Sequence, residues 1–268
     1  MIRLAADLRR FHAAECSQLR QERKQKQTVM NQRIVKMRST WTAVSVRKTA
    51  MLSKTLSLFA GLLVASLPGL AQDLQPISLP KPRMEGGMPL MEALKNRKTS
   101  REFSPATLPP QILADLLWAG FGINRPEIAH RTAPSAMNSQ EMDIYVATAD
   151  GIYVYDAAGN RLVPVAAGDI RARTGKQEYA KVAPVALLFV ADLTRLTKAK
   201  PEDKEHYAAI DTGFIGQNIY LYCASAGLSC VVHELDRSGL PEALKLKPEQ
   251  KIVIAQSIGF PKEGAAKK

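Results

Sequence analysis

Cysteine, histidine and tryptophan are scarce: three, four and two among 268 residues. So few cysteines exclude a disulfide-stapled miniprotein, and four histidines with no clustered Cys/His spacing give a zinc site no support. Aromatics make up only 6%. The most apolar uncharged stretch, residues 55–67 (TLSLFAGLLVASL), has thirteen residues, short of the roughly 20 needed to cross a bilayer as a helix. What remains is globular in composition, at 46% hydrophobic and 23% charged. Wholesale disorder and a collagenous repeat are therefore excluded.

Charge is unevenly placed. Of the net +12, residues 1–50 carry +9, with twelve Lys and Arg against Asp7, Glu15 and Glu22. Residues 72–268 balance 24 basic against 22 acidic side chains. That body lacks the basic footprint of a nucleic-acid binder. Arg47, Lys48 and Lys54 precede or open the thirteen-residue run, and Pro68-Gly69-Leu70-Ala71 follows it. This order of charge, apolar core and small residues marks a secretory signal peptide over residues 51–71, cleaved near Ala71. An uncleaved anchor is the alternative. Residues 1–50 read as an over-called start or leader extension, with an RNA-binding arm as the sharper rival. The mature protein is expected in a periplasm-like space, with no stable membrane anchor and no nucleic-acid partner.

Residues 72–87 are rich in Pro and Gly and read as an extended linker arm. Periodicity begins at Met88. Pro89 to Asn96 predicts a short helix. Pro109-Pro110 opens another to Phe121, with Ile112, Leu113, Leu116, Leu117 and Trp118 on one stripe. Two alternating runs, DIYVAT from Asp143 and IYVYD from Ile152, flank Asp150-Gly151. That dipeptide predicts a tight hairpin with positive φ. The run VAPVALLFVA from Val182 predicts the centre of the sheet, buried on both faces. A helix apolar nearly all round, and so buried, is expected from Tyr207 to Ala226. A strand at Ser229–His233, a helix near Pro241–Leu246 and a strand at Lys251–Ile258 complete the chain. Helices around a mixed or antiparallel sheet, without regular βαβ alternation, give an α+β fold over residues 88–262. Cys223 and Cys230, seven residues apart, fit two buried thiols better than a disulfide.

Four features could carry chemistry. Arg97-Lys98-Thr99-Ser100-Arg101 gathers cations and hydroxyls suited to a phosphate, or else forms a solvated basic turn. In residues 133–140 (APSAMNSQ), amides and hydroxyls can read the edge of a heteroaromatic ring, or serve as ordinary turn residues. Gly213 and Gly216 weaken a helix by about 1 kcal/mol each, so a close approach by a ligand, a helix or a dimer partner is expected there. Neither belongs to a GxGxxG motif. His233 and Glu234 alternate faces on a strand and make a poor acid/base pair.

In this order the stretches RKTSREF (97–103), ILADLLWAGFGIN (112–124), RTAPSAMNSQEMDIYVA (131–147), APVALLFVAD (183–192) and DTGFIGQNIYLYCASAGLSCVV (211–232) resemble the nitroreductase family of flavoenzymes. The segment 118–124 and the hairpin at 150–156 look most like its branch of azoline-oxidising dehydrogenases. The resemblance implies an α+β homodimer with FMN at the subunit interface and small-molecule electron donors and acceptors. Matched by motif, Arg97, Thr99 and Arg101, with Lys98 beside them, would hold the FMN phosphate and ribityl chain. Pro134, Ser135, Asn138 and Gln140 would line the flavin from the partner subunit. Val232 and His233, followed by Glu234, would bring backbone N–H groups to the ring. No catalytic side chain is implied. Ala136 stands where many relatives have Ser, and Thr99 where they often have Ser; Lys262, Lys267 and Lys268 are the only late cations left to reach the phosphate. An azoline-type dehydrogenase acting on a modified peptide, or a flavin-binding dimer without turnover, are the alternatives.

Overall fold

The computed structural model describes residues 74–263, so the leader and signal-peptide expectations lie outside the described residues. The strands are β1 Ile77–Ser78, β2 Ile123–Arg125, β3 His130–Arg131, β4 Met142–Ala147, β5 Gly151–Asp156, β6 Arg161–Ala167, β7 Val185–Asp192, β8 Ser229–His233 and β9 Gln250–Gly259. Seven of them form one sheet in the order β1-β6-β5-β4-β7-β9-β8, and every pairing is antiparallel. A separate ribbon pairs β2 with β3. The helices are α1 Leu90–Asn96, α2 Pro110–Phe121, α3 Glu178–Val182, α4 Lys204–Ala226 and α5 Leu240–Ala243. Among the described residues, no helix is long and apolar enough to cross a membrane.

The period-2 rule sorts the core. Along β7, Leu187 and Phe189 join Leu113, Leu116, Leu117, Phe121, Ile215 and Ile219 on the face covered by α2 and α4. The intervening Ala186, Leu188 and Val190 face the other side, with Ile152, Leu235, Leu240 and Leu244. Burial on both faces explains why this strand is a continuous apolar run. Residues 74–87 are tied down: Ile77 pairs with Leu162, Asn160 donates to the carbonyls of Leu79 and Pro80, and Arg83 pairs with the buried Asp115 at 2.7 Å.

Two local expectations are corrected. The β4–β5 hairpin forms, but Gly151 does not have positive φ. Glycine is needed there for space, because a Cβ would stand 2.6 Å from the Ala166 carbonyl oxygen and 2.5 Å from Leu74 Cδ1. The second concerns α4, which is not buried all round: Ile210 and Phe214 keep 41% and 45% of their surface exposed. Gly227, at φ 69°, ends this helix in the left-handed conformation that glycine adopts without strain.

α2 approaches α4 through Gly120, where an added Cβ would meet Ile219 Cγ1 at 2.9 Å and Cδ1 at 3.1 Å. Gly120→Ala gains helix propensity of about 1 kcal/mol, but overpacking costs about 1–3 kcal/mol. A net loss of roughly 1 kcal/mol is expected in urea unfolding.

Candidate functional site

The basic segment leaves α1 in an extended conformation and runs beside β8, the last strand of the sheet. The Ser100 N–H donates to the Cys230 carbonyl at 3.0 Å, and the hydroxyls of Ser100 and Ser229 lie 3.0 Å apart. Its neighbours converge on Tyr220 of α4. The Arg97 guanidinium stands 5.5 Å over the Tyr220 ring, and Thr99 Oγ1 is 3.3 Å from Tyr220 Oη. That same oxygen accepts the Val232 N–H at 2.8 Å. The structure thus gathers Arg97, Thr99 and Val232 around Tyr220, an aromatic that the sequence pattern does not distinguish from the other side chains of a long helix. Lys262 is close by in the chain trace: its N–H reaches the Glu102 carbonyl at 3.4 Å, and Phe103 bridges Pro261.

The charges here are unbalanced. Among the described residues, Arg97, Lys98 and Arg101 make no ion pair, a condition they share with other cations such as Arg125, Arg173 and Lys251. Beside Tyr220 opens a cavity of about 310 Å³ whose walls include Phe189, Thr212, Gly213, Gly216, Gln217 and Val232. Its volume falls at the lower end of small-ligand sites. A Cβ on Gly213 would meet nothing within 4 Å, and one on Gly216 only Gln256 and Val232 at 3.7 and 3.9 Å. Packing inside this chain therefore does not require these glycines. At the same wall Gln256 is fully buried; its amide donates to the Gly216 carbonyl, while its Oε1 meets no donor.

The amide-bearing loop lies elsewhere. Met137, Asn138 and Gln140 all adopt positive φ, near 50°, a conformation costing non-glycine residues of the order of 1 kcal/mol or more each. The surroundings hold it. Ser135 Oγ accepts the Gln140 N–H at 2.9 Å, and Arg131 Nε donates to Gln140 Oε1 at 2.9 Å. Gln140 Nε2 donates to the Ala129 carbonyl, and Asn138 meets His130 at 3.2 Å. Pro134 precedes this knot and is exposed. The Ala136 N–H donates to Asp211 Oδ2 of α4 at 2.7 Å.

Asp211 and Tyr220 are nine residues apart, about two and a half helical turns, so they lie on opposite faces of α4. The loop therefore does not share the Tyr220 cavity within one chain. Pro134, Ser135, Asn138 and Gln140 form one cluster; Arg97, Thr99 and Val232 form another.

His233 and Glu234 occupy opposite environments. His233 is buried, 2.8 Å from Ser257 Oγ and edge-on to Tyr179, and burial lowers its pKa. Glu234 is exposed and paired with Arg237, whose guanidinium lowers its pKa. Cys223 and Cys230 are buried and unbridged, and burial raises the Cys223 thiol pKa well above its ordinary value.

Comparison with known proteins gives these features a family. Residues 94–260 match the model of the nitroreductase family. A crystal structure from Ralstonia eutropha, provisionally named a nitroreductase, is 39% identical, with TM-score 0.68, over 72% of this chain and 93% of that one. A similarly named protein of Methanocaldococcus jannaschii is 27% identical over 169 residues, 59% of this chain and 85% of that one. A longer Anabaena variabilis chain shares the fold at 18% identity and TM-score 0.60, over 70% of this chain and 42% of that one. Family match, architecture and the paired basic and amide clusters agree: the chain belongs to the nitroreductase family and is a flavin-dependent oxidoreductase.

Proposed function

We propose that the protein is an exported, homodimeric FMN enzyme that moves a hydride from a reduced donor, NAD(P)H among the candidates, to an electron-poor acceptor. The observation that carries this reading is Arg97, without an ion pair and set over Tyr220 at the rim of an apolar cavity with two unobstructed glycines, with the exposed Lys98 and Arg101 beside it in the chain. Three cations within five residues raise the local positive potential and favour an anion there. The donor set fits a phosphate: forked guanidiniums at 97 and 101, a hydroxyl at 99 and an ammonium at 98. FMN, when bound, supplies the hydride chemistry.

The remaining work belongs to the chain. Arg97 is braced over the Tyr220 ring, which fixes its direction, and Thr99 is held beside the Tyr220 hydroxyl. The strand end from Val232 through His233 to Glu234 borders the ring in this reading, but the Val232 N–H is already donated to the Tyr220 hydroxyl at 2.8 Å and is not itself a donor to the flavin as the motif match implied. Pro134, Ser135, Asn138 and Gln140 lie on the other side of α4, so they complete a site only when presented by a second copy. Ile210 and Phe214, exposed between the two faces of α4, supply an apolar seam for that copy. The apolar walls keep bulk water from the reacting face.

The test is an absorbance spectrum of the full chain purified from an exporting, flavin-replete host, with mass analysis of released cofactor and protein. About one FMN per chain and a mature start after Ala71 are expected. Absence of flavin after reconstitution would overturn the assignment, and an intact leader on exported protein would overturn the cleavage.

A further inference from the structure

Glu141 belongs to neither cluster. It follows the strained loop directly and is fully buried, and as a carboxylate neither of its oxygens meets a hydrogen-bond donor. Burial without donors is costly for a charged carboxyl. Its side chain faces that of Asp211, itself only 3% exposed, whose Oδ2 already receives the Ala136 N–H at 2.7 Å. The two carboxyls come from opposite sides of the same contact, one from the loop and one from α4.

We propose that Glu141 and Asp211 share one proton, and that this carboxyl–carboxylate bridge is the clasp holding the 134–140 loop in its strained shape against α4. A protonated Glu141 gives Asp211 the donor it faces and removes the like-charge repulsion, so both buried carboxyls are satisfied at once. Asp211 Oδ2 meanwhile accepts the Ala136 N–H at 2.7 Å and so ties the loop to α4. Glu141 and Asp211 are positioning residues: neither is assigned contact with a ligand.

One cation acts on the pair from nearby. Arg195, from the turn after β7, donates to the Gln140 carbonyl at 2.9 Å and pairs with Asp143 and Asp192, and its charge partly offsets the rise in the Glu141 pKa. Arg131 is committed to Gln140 and the Phe121 carbonyl. His130 meets Asn138 at the loop's far side, and from α4 Thr212 turns its hydroxyl to the Ala208 carbonyl. Arg195 has the smallest of these influences on Glu141 and does not outweigh burial. Burial, reinforced by Asp211, accordingly raises the Glu141 pKa to about 7.

A carboxyl whose pKa is higher in the folded than in the unfolded state binds its proton more tightly when folded. The clasp is therefore intact on the acid side of neutrality. Stability falls as pH rises from about 5 through about 7, then levels off above the folded pKa.

The experiment has two arms, and only the second rests on the FMN reading. In the first, thermal unfolding of the flavin-free full chain is followed from about pH 5 to 9, for wild type and Glu141→Gln, whose amide donates to Asp211 at every pH. The wild-type Tm is expected to fall through neutrality and that of Glu141→Gln to stay flat across this step. Parallel curves would overturn the shared proton. Should Glu141→Gln fail to fold, Asp211→Asn, which removes the like charge and offers Glu141 a donor, must shift the step to lower pH, and an unshifted step would overturn the shared proton. In the second arm, FMN titrations over the same range should show the wild-type Kd rising by up to about tenfold per pH unit above neutrality, but not in Glu141→Gln. A Tm step with pH-independent FMN affinity would overturn the coupling to the loop. FMN that fails to bind at any pH would overturn the cofactor assignment and this second coupling, leaving the first arm to decide the proton.

Discussion

Arg97→Ala is expected to yield a folded but nearly colourless protein. Arg97 makes no ion pair and one ring contact, so its loss should leave the circular dichroism spectrum and unfolding midpoint nearly unchanged. A hydrogen bond to a charged group contributes about 1.5–3 kcal/mol, or roughly 10- to 150-fold in affinity. FMN Kd should rise by that factor, measured by quenching of free-flavin fluorescence. Arg97→Lys should recover only part of the loss, since an ammonium cannot reproduce the planar fork. Unchanged flavin content in Arg97→Ala would show that the phosphate lies elsewhere.

Phe214→Asp tests the division of the site between two copies. The phenylalanine is 45% exposed on the outer face of α4 and takes no part in either cluster. Burying such a side chain at an interface is worth about 1.5–3 kcal/mol, counted twice across a two-fold axis, and a carboxylate there adds a desolvation penalty. Sedimentation should find dimer in the wild type and monomer in Phe214→Asp at micromolar concentration. Flavin should be lost with the dimer even though Arg97, Thr99, Arg101 and Tyr220 are intact. A monomer that retains one FMN per chain would show that the Tyr220 cavity suffices and that the amide loop serves another purpose.

The main elements are legible where a single physical rule dominates. Pro109-Pro110 and the stripe from Ile112 to Trp118 place α2, because proline suits a first turn and leucines at helical spacing need a common core. The run from Val182 reads as an interior strand because both its faces are covered, though Val182 itself ends α3 and the strand begins at Val185. Short elements are less visible. β1 lies in a Pro-rich arm, and β6 carries Pro164 and exposed positions; pairing with β5 and β1 makes them strands, not local preference. Asp150-Gly151 marks the hairpin turn correctly, but glycine is required at 151 by the crowding against Ala166, and that contact arises only when β6 pairs with β5.

The site divides in the same way. The cations at 97, 98 and 101 and the amides at 138 and 140 are chemical types, and residue type is written in the chain itself, as are the uneven charge and the apolar run before Ala71. Their relations are not. Tyr220 reaches Thr99 and Val232 across 121 and 12 residues, and Glu141 meets Asp211 across seventy positions of chain. The half-turn phase along α4 separates loop from cavity. Such contacts belong to folded space, because burial and hydrogen bonding act over a few ångströms whatever the sequence separation, and the field that shifts a carboxyl's proton affinity exists once its neighbours have closed around it.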